Sequence, residues 1–348
     1  MDFTSQMLEW YEHNKRDLPW RRIRDPYLIW VSEIILQQTR IDQGLPYYQR
    51  FITAFPDIRS LATADEKDIM KIWQGLGYYS RAVNMHKASL IIMNDFNGQF
   101  PGSYEAIRGL PGIGDYTAAA IASIAFHLPF PVVDGNVIRF FSRHFGVKEP
   151  VNSAKAKQII REIATGLIDH QHPGSFNQAI MEYGARTCIP GIPMCDSCCF
   201  EQSCFAYSHN SVGLLPVKNK KVRQRTRYFN YLVITSDNEN AWIMRKRVAQ
   251  DIWKGLYDFP LIETAKLLSL KSLKATRDWS LIEKMNPGPL IRCSGQFRHI
   301  LTHQVIVARF FRISVSKVNV VPEGCIQVRD LTKIPVPRLI EKYLQNLV

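Results

Sequence analysis

The chain has no long apolar run, few cysteines and a deficit of acids, and each shortage narrows what it can be. No stretch of its 348 residues approaches the ~18 uninterrupted apolar residues that a membrane span requires, so no membrane role is expected. Seven cysteines is an odd number, and Cys198 and Cys199 are adjacent, which argues against a disulfide framework. The opening Met1-Asp2-Phe3-Thr4 has neither a basic n-region nor an apolar h-region, so the sequence reads as cytoplasmic with no signal peptide. Lysine is missing between Lys87 and Lys148, an absence used below. Acids number 31 against 44 Lys and Arg, a net charge of +13, which favours a polyanionic partner such as nucleic acid. The apolar share of 46% and charged share of 22% are those of a folded chain. A single core is stretched at this length, so two domains are expected.

Four of the cysteines are concentrated. Cys188, Cys195, Cys198 and Cys204 fall within seventeen residues as C-x6-C-x2-C-x5-C. Thiolates this close in sequence can ligate one metal centre without help from the rest of the chain, and an all-thiolate set suits an iron–sulfur cluster or zinc. Zinc sites favour two C-x2-C knuckles, and only the middle pair here has that spacing. The spacing therefore favours a 4Fe–4S cluster, one per chain, with zinc as the alternative. Cys199, Cys293 and Cys325 are read as ordinary thiols.

The texture divides the chain in two. Residues 1–208 read as helices, with amphipathic runs such as Ser80 to Met93 and Ala154 to Ile168 separated by Gly, Pro and Asp breakers. Residues 209–227 read as a linker ending in a basic run, Lys218 to Arg227, with six Lys or Arg and no acid, either a solvated tether or a phosphate-tracking arm. Residues 228–348 read as α+β. Strand-like runs lie at Tyr228 to Thr235, Ala241 to Arg245 and Val305 to Ser314, and helical patterns at Ala265 to Leu273 and Val336 to Leu347.

Between two helical patterns lies Leu110-Pro111-Gly112-Ile113-Gly114-Asp115-Tyr116. Two glycines around one apolar residue permit a tight turn with amide N–H groups facing outward at a helix start, a main-chain anion site. Alone, the segment also reads as a plain helix–helix turn. Together with the cysteine loop some seventy residues on, it resembles the helix-hairpin-helix DNA glycosylase superfamily, in the iron–sulfur branch that holds endonuclease III and the MutY-type adenine glycosylases. The resemblance covers Trp10 to Cys204, through Leu18-Pro19-Trp20-Arg21, Trp30-Val31-Ser32-Glu33, Leu36-Gln37-Gln38-Thr39, Gly75-Leu76-Gly77-Tyr78-Tyr79-Ser80-Arg81, Val133-Asp134-Gly135-Asn136-Val137 and Asn177 to Ala185. It implies a mainly α catalytic region, a six-helix barrel with a cluster domain. It further implies a monomer acting on double-stranded DNA, in a bacterial cytoplasm and associated with the nucleoid through that DNA.

Glu33 sits in Tyr27 to Leu36, apolar almost all round. Poor solvation there should raise its pKa, so that it holds a proton at neutral pH. Purine release needs such an acid, and Glu33 matches the MutY-type residue that supplies it. Asp134 follows an apolar run and opens a helix, which suits an N-cap. The resemblance gives it a second task, stabilising the oxocarbenium ion or bonding to the sugar transiently, as in retaining glycoside hydrolysis, with Asn136 and Tyr116 in support. Tyr116 stands where bifunctional members carry a lysine that forms a Schiff base. A phenol cannot form an imine, and no lysine lies nearby in sequence. A monofunctional enzyme is expected, leaving an abasic site. Gln38, Thr39 and Tyr78 match family segments inserted beside a flipped base, and Leu110, Gly112 and Gly114 match the phosphate-holding hairpin.

In the second half, Trp253-Lys254-Gly255-Leu256-Tyr257-Asp258-Phe259-Pro260 resembles the G-L-W-E-F-P segment of Nudix folds. The metal-binding R-E-x-x-E-E that should follow is replaced by Leu261 to Lys266, so hydrolysis is not expected. A Nudix-like α+β domain without hydrolysis fits a reader of 8-oxoguanine. Phe297, Arg298 and His299 align with the family's F-S-H segment that touches the lesion, with Arg298 replacing the serine. The sequence thus implies excision of adenine opposite 8-oxoguanine or guanine. A thymine or bifunctional glycosylase is disfavoured by Tyr116 and the second domain, and a non-enzymatic iron–sulfur DNA sensor by the pairing of Glu33 with Asp134.

Overall fold

A computed structural model describes residues 2–218, 224–236, 240–277, 279–285, 287–315 and 321–347. They form two compact units, one of 1–63 and 84–220 and the other of 64–83 and 221–348. The helical part runs α1 (Phe3–Asn14), α2 (Pro26–Leu36), α3 (Ile41–Ala54), α4 (Ile58–Thr63), α5 (Glu66–Ile72), α6 (Ser80–Asp95), α7 (Tyr104–Arg108), α8 (Asp115–Phe126), α9 (Gly135–Phe145), α10 (Ala154–Leu167), α11 (Pro173–Arg186) and α12 (Phe205–Ser208). Helix starts follow capping chemistry. Asp2, Asp25, Ser103, Asp134 and Ser153 each accept a main-chain N–H in the first turn of their helix, and Pro26 and Pro173 occupy first-turn positions where no donor is lost. Each such cap contributes about 1 kcal/mol.

The core of the first unit is aromatic. Phe140, Phe141, Phe176, Tyr183 and Phe200 are buried together with Val137, Ile160 and Ile180. Phe3 of α1 packs on Phe200 at 4.7 Å between ring centroids, tying the chain's start to the cysteine loop.

The second unit contains β1 (Arg225–Ser236), β2 (Ala241–Lys246), β3 (Tyr257–Asp258), β4 (Leu261–Thr264), α13 (Leu270–Lys274), α14 (Trp279–Glu283), β5 (Pro287–Cys293), β6 (Phe297–Ile300), β7 (Gln304–Val315), β8 (Cys325–Val328) and α15 (Arg338–Gln345). The sheet order is β3-β2-β1-β7-β5, with β4 also on β1, β6 on β7 and β8 on β2. β1 and β7 pair in parallel over their whole length, and their residues are covered on both faces, by α15 and Val336 on one side and by Leu273, Trp279 and Ile282 on the other. Two-sided burial explains why these strands read as continuous apolar runs.

The second unit also includes 64–83, a segment of the helical half. Lys71 Nζ donates to the Ile334 carbonyl at 3.1 Å, and the Val336 N–H donates to Gln74 Oε1 at 3.1 Å. Three sequence expectations shift. The helix expected at Ala265 to Leu273 begins only at Leu270, because Ser269 caps it by accepting the Ser272 N–H. The last helix begins at Arg338, since a residue before proline, here Val336, avoids the α region. Of the basic run Lys218 to Arg227, residues 219–223 lie outside the described residues, and Arg225 to Arg227 are already strand. Arg227 is no phosphate arm: it is buried against Asp251 and Glu263. Among the described residues, no helix is long and apolar enough to cross a membrane.

Candidate active site

Glu33 is on α2, whose Ile29, Trp30, Val31, Ile34 and Ile35 are all buried, and its own side chain is 7% exposed. The Tyr116 hydroxyl, from the first turn of α8, lies 2.6 Å from Glu33 Oε2 and 3.3 Å from the sulfur of Met181 on α11. Burial pushes the Glu33 carboxyl up to about 7; Tyr116's hydrogen bond opposes this, the charge of Asp134 adds to it, and Arg21 opposes it. Burial and the two neighbouring carboxylates hold Tyr116 far above an ordinary phenol, so it remains a neutral donor.

Asp134 is the N-cap of α9. Its Oδ1 accepts the Val137 N–H at 2.7 Å, and its Oδ2 accepts Asn136 Nδ2 at 2.9 Å. Burial pushes this carboxyl up as well, opposed by those donors and by the charge of Arg139. The contacts that favour its charged form are fixed protein donors. Asp134's charge is one of the causes raising Glu33, so the two buried carboxyls are electrostatically coupled.

Arg139, one turn further along α9, was not singled out from sequence, although its i,i+3 spacing from Asn136 was available as a signal. Its Nη2 donates to Asn136 Oδ1 at 2.9 Å and to the Gly184 carbonyl at 2.5 Å, and its Nε donates to the Cys188 carbonyl at 2.8 Å. Asn136 is thereby locked in the orientation that points its amide N–H at Asp134. Gly184 is required by proximity: a Cβ there would lie 2.7 Å from the Asn136 carbonyl oxygen. Two more unforeseen arginines, Arg16 and Arg21, both bind the buried Glu182 of α11 at 2.6 Å, fastening Arg16 and Arg21, the second of them in the Leu18-Pro19-Trp20-Arg21 motif, to the helix that carries Met181.

The hairpin turn between α7 and α8 has Leu110 buried and Gly112 and Gly114 exposed. Gly112 has φ +79 and a Cβ would meet Asn84 at 2.7 Å, so only glycine fits. Gly114 caps α8 without any side-chain bond, leaving the helix start to main-chain donors. Gln38 and Thr39 follow α2, and Gln37 Nε2 donates to Thr117 Oγ1 at 3.1 Å. Gln38 is exposed with φ +56, a left-handed conformation that costs a non-glycine residue roughly 1 kcal/mol.

Tyr78 belongs to the second unit. It too is left-handed, φ +47, after Gly77 at φ +80, and it is 50% exposed, with its hydroxyl 3.2 Å from Thr302 Oγ1. Strand alternation separates the F-R-H residues of β6. Phe297 faces the core, with its ring 5.2 Å from Phe310 and 5.9 Å from Tyr343. His299 shares that face, half-buried 5.5 Å from Trp253, while Arg298 is exposed on the other. Burial and then Lys342 keep His299 below the usual histidine range.

The cysteine loop follows α11. Cys195 and Cys204 lie at the ends of two short 3-10 turns, Cys195–Ser197 and Glu201–Ser203, and none of the seven cysteines is in a disulfide. The Tyr183 hydroxyl is 2.9 Å from Cys198 Sγ, and Arg143 Nη1 is 3.5 Å from Cys188 Sγ. Cys188, Cys195 and Cys198 each feel the charge of Cys204, and Cys198 also feels that of its neighbour Cys199. Burial is the first cause raising all three thiols, Cys198 to about 11. Among the described residues, no three His, Cys, Asp or Glu side chains converge as ligands of a single ion.

Comparison with known proteins identifies the family. The HhH-GPD superfamily of base excision DNA repair proteins matches residues 31–165, a span holding Glu33, Tyr116 and Asp134, and a NUDIX domain matches 230–346. The adenine DNA glycosylase of Buchnera aphidicola from Acyrthosiphon pisum is 31% identical over 99% of this chain and 97% of its own. The chain belongs to the MutY-type adenine DNA glycosylases. It is a DNA glycosylase with a helix-hairpin-helix helical region and a Nudix-like second region. The mouse adenine DNA glycosylase is 39% identical over 61% of this chain and 43% of its own. Among solved structures, a thermostable thymine-DNA glycosylase superposes with a TM-score of 0.55 at 30% identity, covering 60% of this glycosylase and 95% of that chain. That neighbour leaves the remaining two fifths, which the Buchnera relative spans, without a counterpart.

Proposed function

We propose that this glycosylase hydrolyses the N-glycosidic bond of adenine paired with 8-oxoguanine or guanine in double-stranded DNA and leaves an abasic site. The observation that carries the reading is a pair of buried, coupled carboxyls in unlike settings: Glu33, raised to about 7 in an apolar surround, and Asp134, which accepts from Val137 and Asn136. Glu33 gives its proton to the purine ring, turning the base into a neutral leaving group. Tyr116 keeps the acid aimed through its 2.6 Å hydrogen bond. Asp134 then faces the cationic sugar, as a stabilising charge or as a transient nucleophile that water displaces. Asn136, held by Arg139, keeps that carboxylate from turning away.

The hairpin at Leu110, Gly112 and Gly114 would grip a backbone phosphate through main-chain donors. Gln38 and Thr39 of the first unit would insert beside the flipped base, Tyr78 of the second unit is a further candidate for DNA contact, and the left-handed backbone at Gln38 and at Tyr78 fits residues held projecting at a functional site. Arg298 and His299 would read the opposite base, with Phe297 supporting them from the core.

Cys188, Cys195, Cys198 and Cys204 fit a 4Fe–4S cluster, one per monomer. Buried thiols raised in pKa need a metal's charge to become thiolates. An all-thiolate set suits an iron–sulfur cluster or zinc, and the C-x6-C-x2-C-x5-C spacing, with only one C-x2-C pair, favours the cluster. When bound, the cluster supplies a positive, rigid anchor for the loop; base release involves no electron transfer, so the chemistry stays with Glu33 and Asp134. Cys198→Ser should lose iron and visible colour, whereas Cys199→Ser, on an exposed thiol outside the C-x6-C-x2-C-x5-C set, should keep both; equal iron content in the two purified variants would refute the ligand set.

The deciding assay is free-base release from duplexes carrying adenine opposite 8-oxoguanine, guanine, thymine or cytosine. Release confined to the first two supports the reading, and thymine release or none overturns it. Because Tyr116 offers a phenol and no amine, strands should break only after alkali, and borohydride should trap little protein on DNA. Efficient trapping would identify a lyase.

A further inference from the structure

Arg292 on an edge strand of the sheet and Arg312 on the neighbouring strand have no carboxylate partner among the described residues. β5 is the edge strand beside β7, and its pairing there is irregular, with a shift of register between Leu290 and Arg292. Past the shift, Arg292 lies directly opposite Arg312 and Cys293 opposite Phe311. Directly opposed residues of an antiparallel pair share a face, with Cβ atoms about 4.5–5.5 Å apart, and like charges so placed repel. Alternation along β7 sets Arg312 on the face of Phe310, which α15 covers; the Tyr343 ring lies parallel to Phe310 there, 3.9 Å away. Tyr343 senses both guanidiniums: burial pushes its phenol up, and the charges of Arg312 and Arg292 oppose that rise. Among the described residues neither arginine has a carboxylate partner, and the Nε of Arg312 is buried without an acceptor. In the same unit Arg225, Arg227, Arg245 and Arg247 are each paired with an acid, whereas Arg309, like Arg312, has a buried Nε without an acceptor.

We propose that Arg292 and Arg312, beside Tyr343, form a phosphate-binding site on the second unit. A phosphate accepts from two guanidinium forks at once, which cancels their repulsion and gives the buried Nε its acceptor. The phosphate could belong to a DNA backbone or to a free or small-molecule phosphate, and the two sources separate experimentally.

Full-length wild type and Arg292→Gln are compared; Arg292 is exposed, so its loss does not threaten folding. Thermal midpoints are read in inorganic phosphate against chloride at equal ionic strength, and undamaged-duplex affinity is read as a function of salt. Phosphate should raise the wild-type midpoint above the chloride value, and R292Q should lose that increment. If the occupant is a DNA phosphate, R292Q should also bind duplex with a salt slope shallower by about 1. Loss of the increment with an unchanged slope supports the site with a free phosphate as occupant. Equal phosphate increments together with equal salt slopes overturn the proposal. So does an R292Q that melts earlier than wild type in chloride, since relief of repulsion leaves stability equal or higher. The duplex arm rests on the DNA reading above and the phosphate arm does not, so failure of one is distinguishable from failure of the other.

Discussion

Glu33→Gln should cut single-turnover adenine release by on the order of 10²–10⁴-fold while mispair affinity stays within a few-fold of wild type. Glutamine keeps the shape and an oxygen that can accept the Tyr116 hydroxyl, so only the transferable proton is lost. The wild-type rate should fall as pH rises through about 7, because the acid must be protonated to act. Stability gives an independent reading of the same group. Glu33 binds its proton more tightly folded, at about 7, than at its ordinary 4.5, so the folded state holds more protons between those values. Wild-type stability therefore declines as pH rises from 4.5 through 7. The variant has no such group, and above pH 7 it should be the more stable protein by roughly 3 kcal/mol, the difference vanishing below pH 4.5. Denaturant melts at pH 4.5 and pH 8 test this, and release within threefold of wild type would remove Glu33 as the acid.

The second large effect is at Asp134. Asp134→Asn should lower base release by roughly 10²–10³-fold or more, the scale of removing one preorganised charge contact from a transition state. Asparagine caps helices as well as aspartate does, so the Val137 N–H keeps its acceptor and α9 its start. The second oxygen, however, becomes an amide N–H facing Asn136 Nδ2. Two donors cannot bond, so Asn136 must turn, and that breaks its bond from Arg139. Loss of one such bond costs about 1 kcal/mol. A variant that melted within a degree or two of wild type yet released no adenine would separate the charge from the cap. If it released adenine normally, the carboxylate would be structural alone.

How far the sequence reached depended on whether a signal was local. The apolar surround of Glu33 was visible in the run Tyr27 to Leu36, because burial of every face of one helix needs no knowledge of its neighbours. The cap at Asp134, the turn at Gly112 and the missing lysine at Tyr116 were legible for the same reason: each is a property of a few adjacent residues. Even the strands β1 and β7 could be read, since two-sided burial leaves a continuous apolar run. What escaped was whatever depends on chain segments meeting from far apart. Tyr116 reaches Glu33 across 83 residues, Arg139 reaches Cys188 across 49, and Arg16 reaches Glu182 across 166. The segment 64–83 reads as an ordinary stretch of the helical half, and it joins the second unit because Lys71 and Gln74 find main-chain partners at Ile334 and Val336. Arg227 looks like one more charge in a basic run, and it is buried because Asp251 and Glu263 come to it in the folded sheet. The residue types and their local caps determined which chemistry the chain can carry. Only tertiary packing decided which groups share a proton, because a pKa is set by the charges and solvent that surround a side chain, and those come from the whole fold.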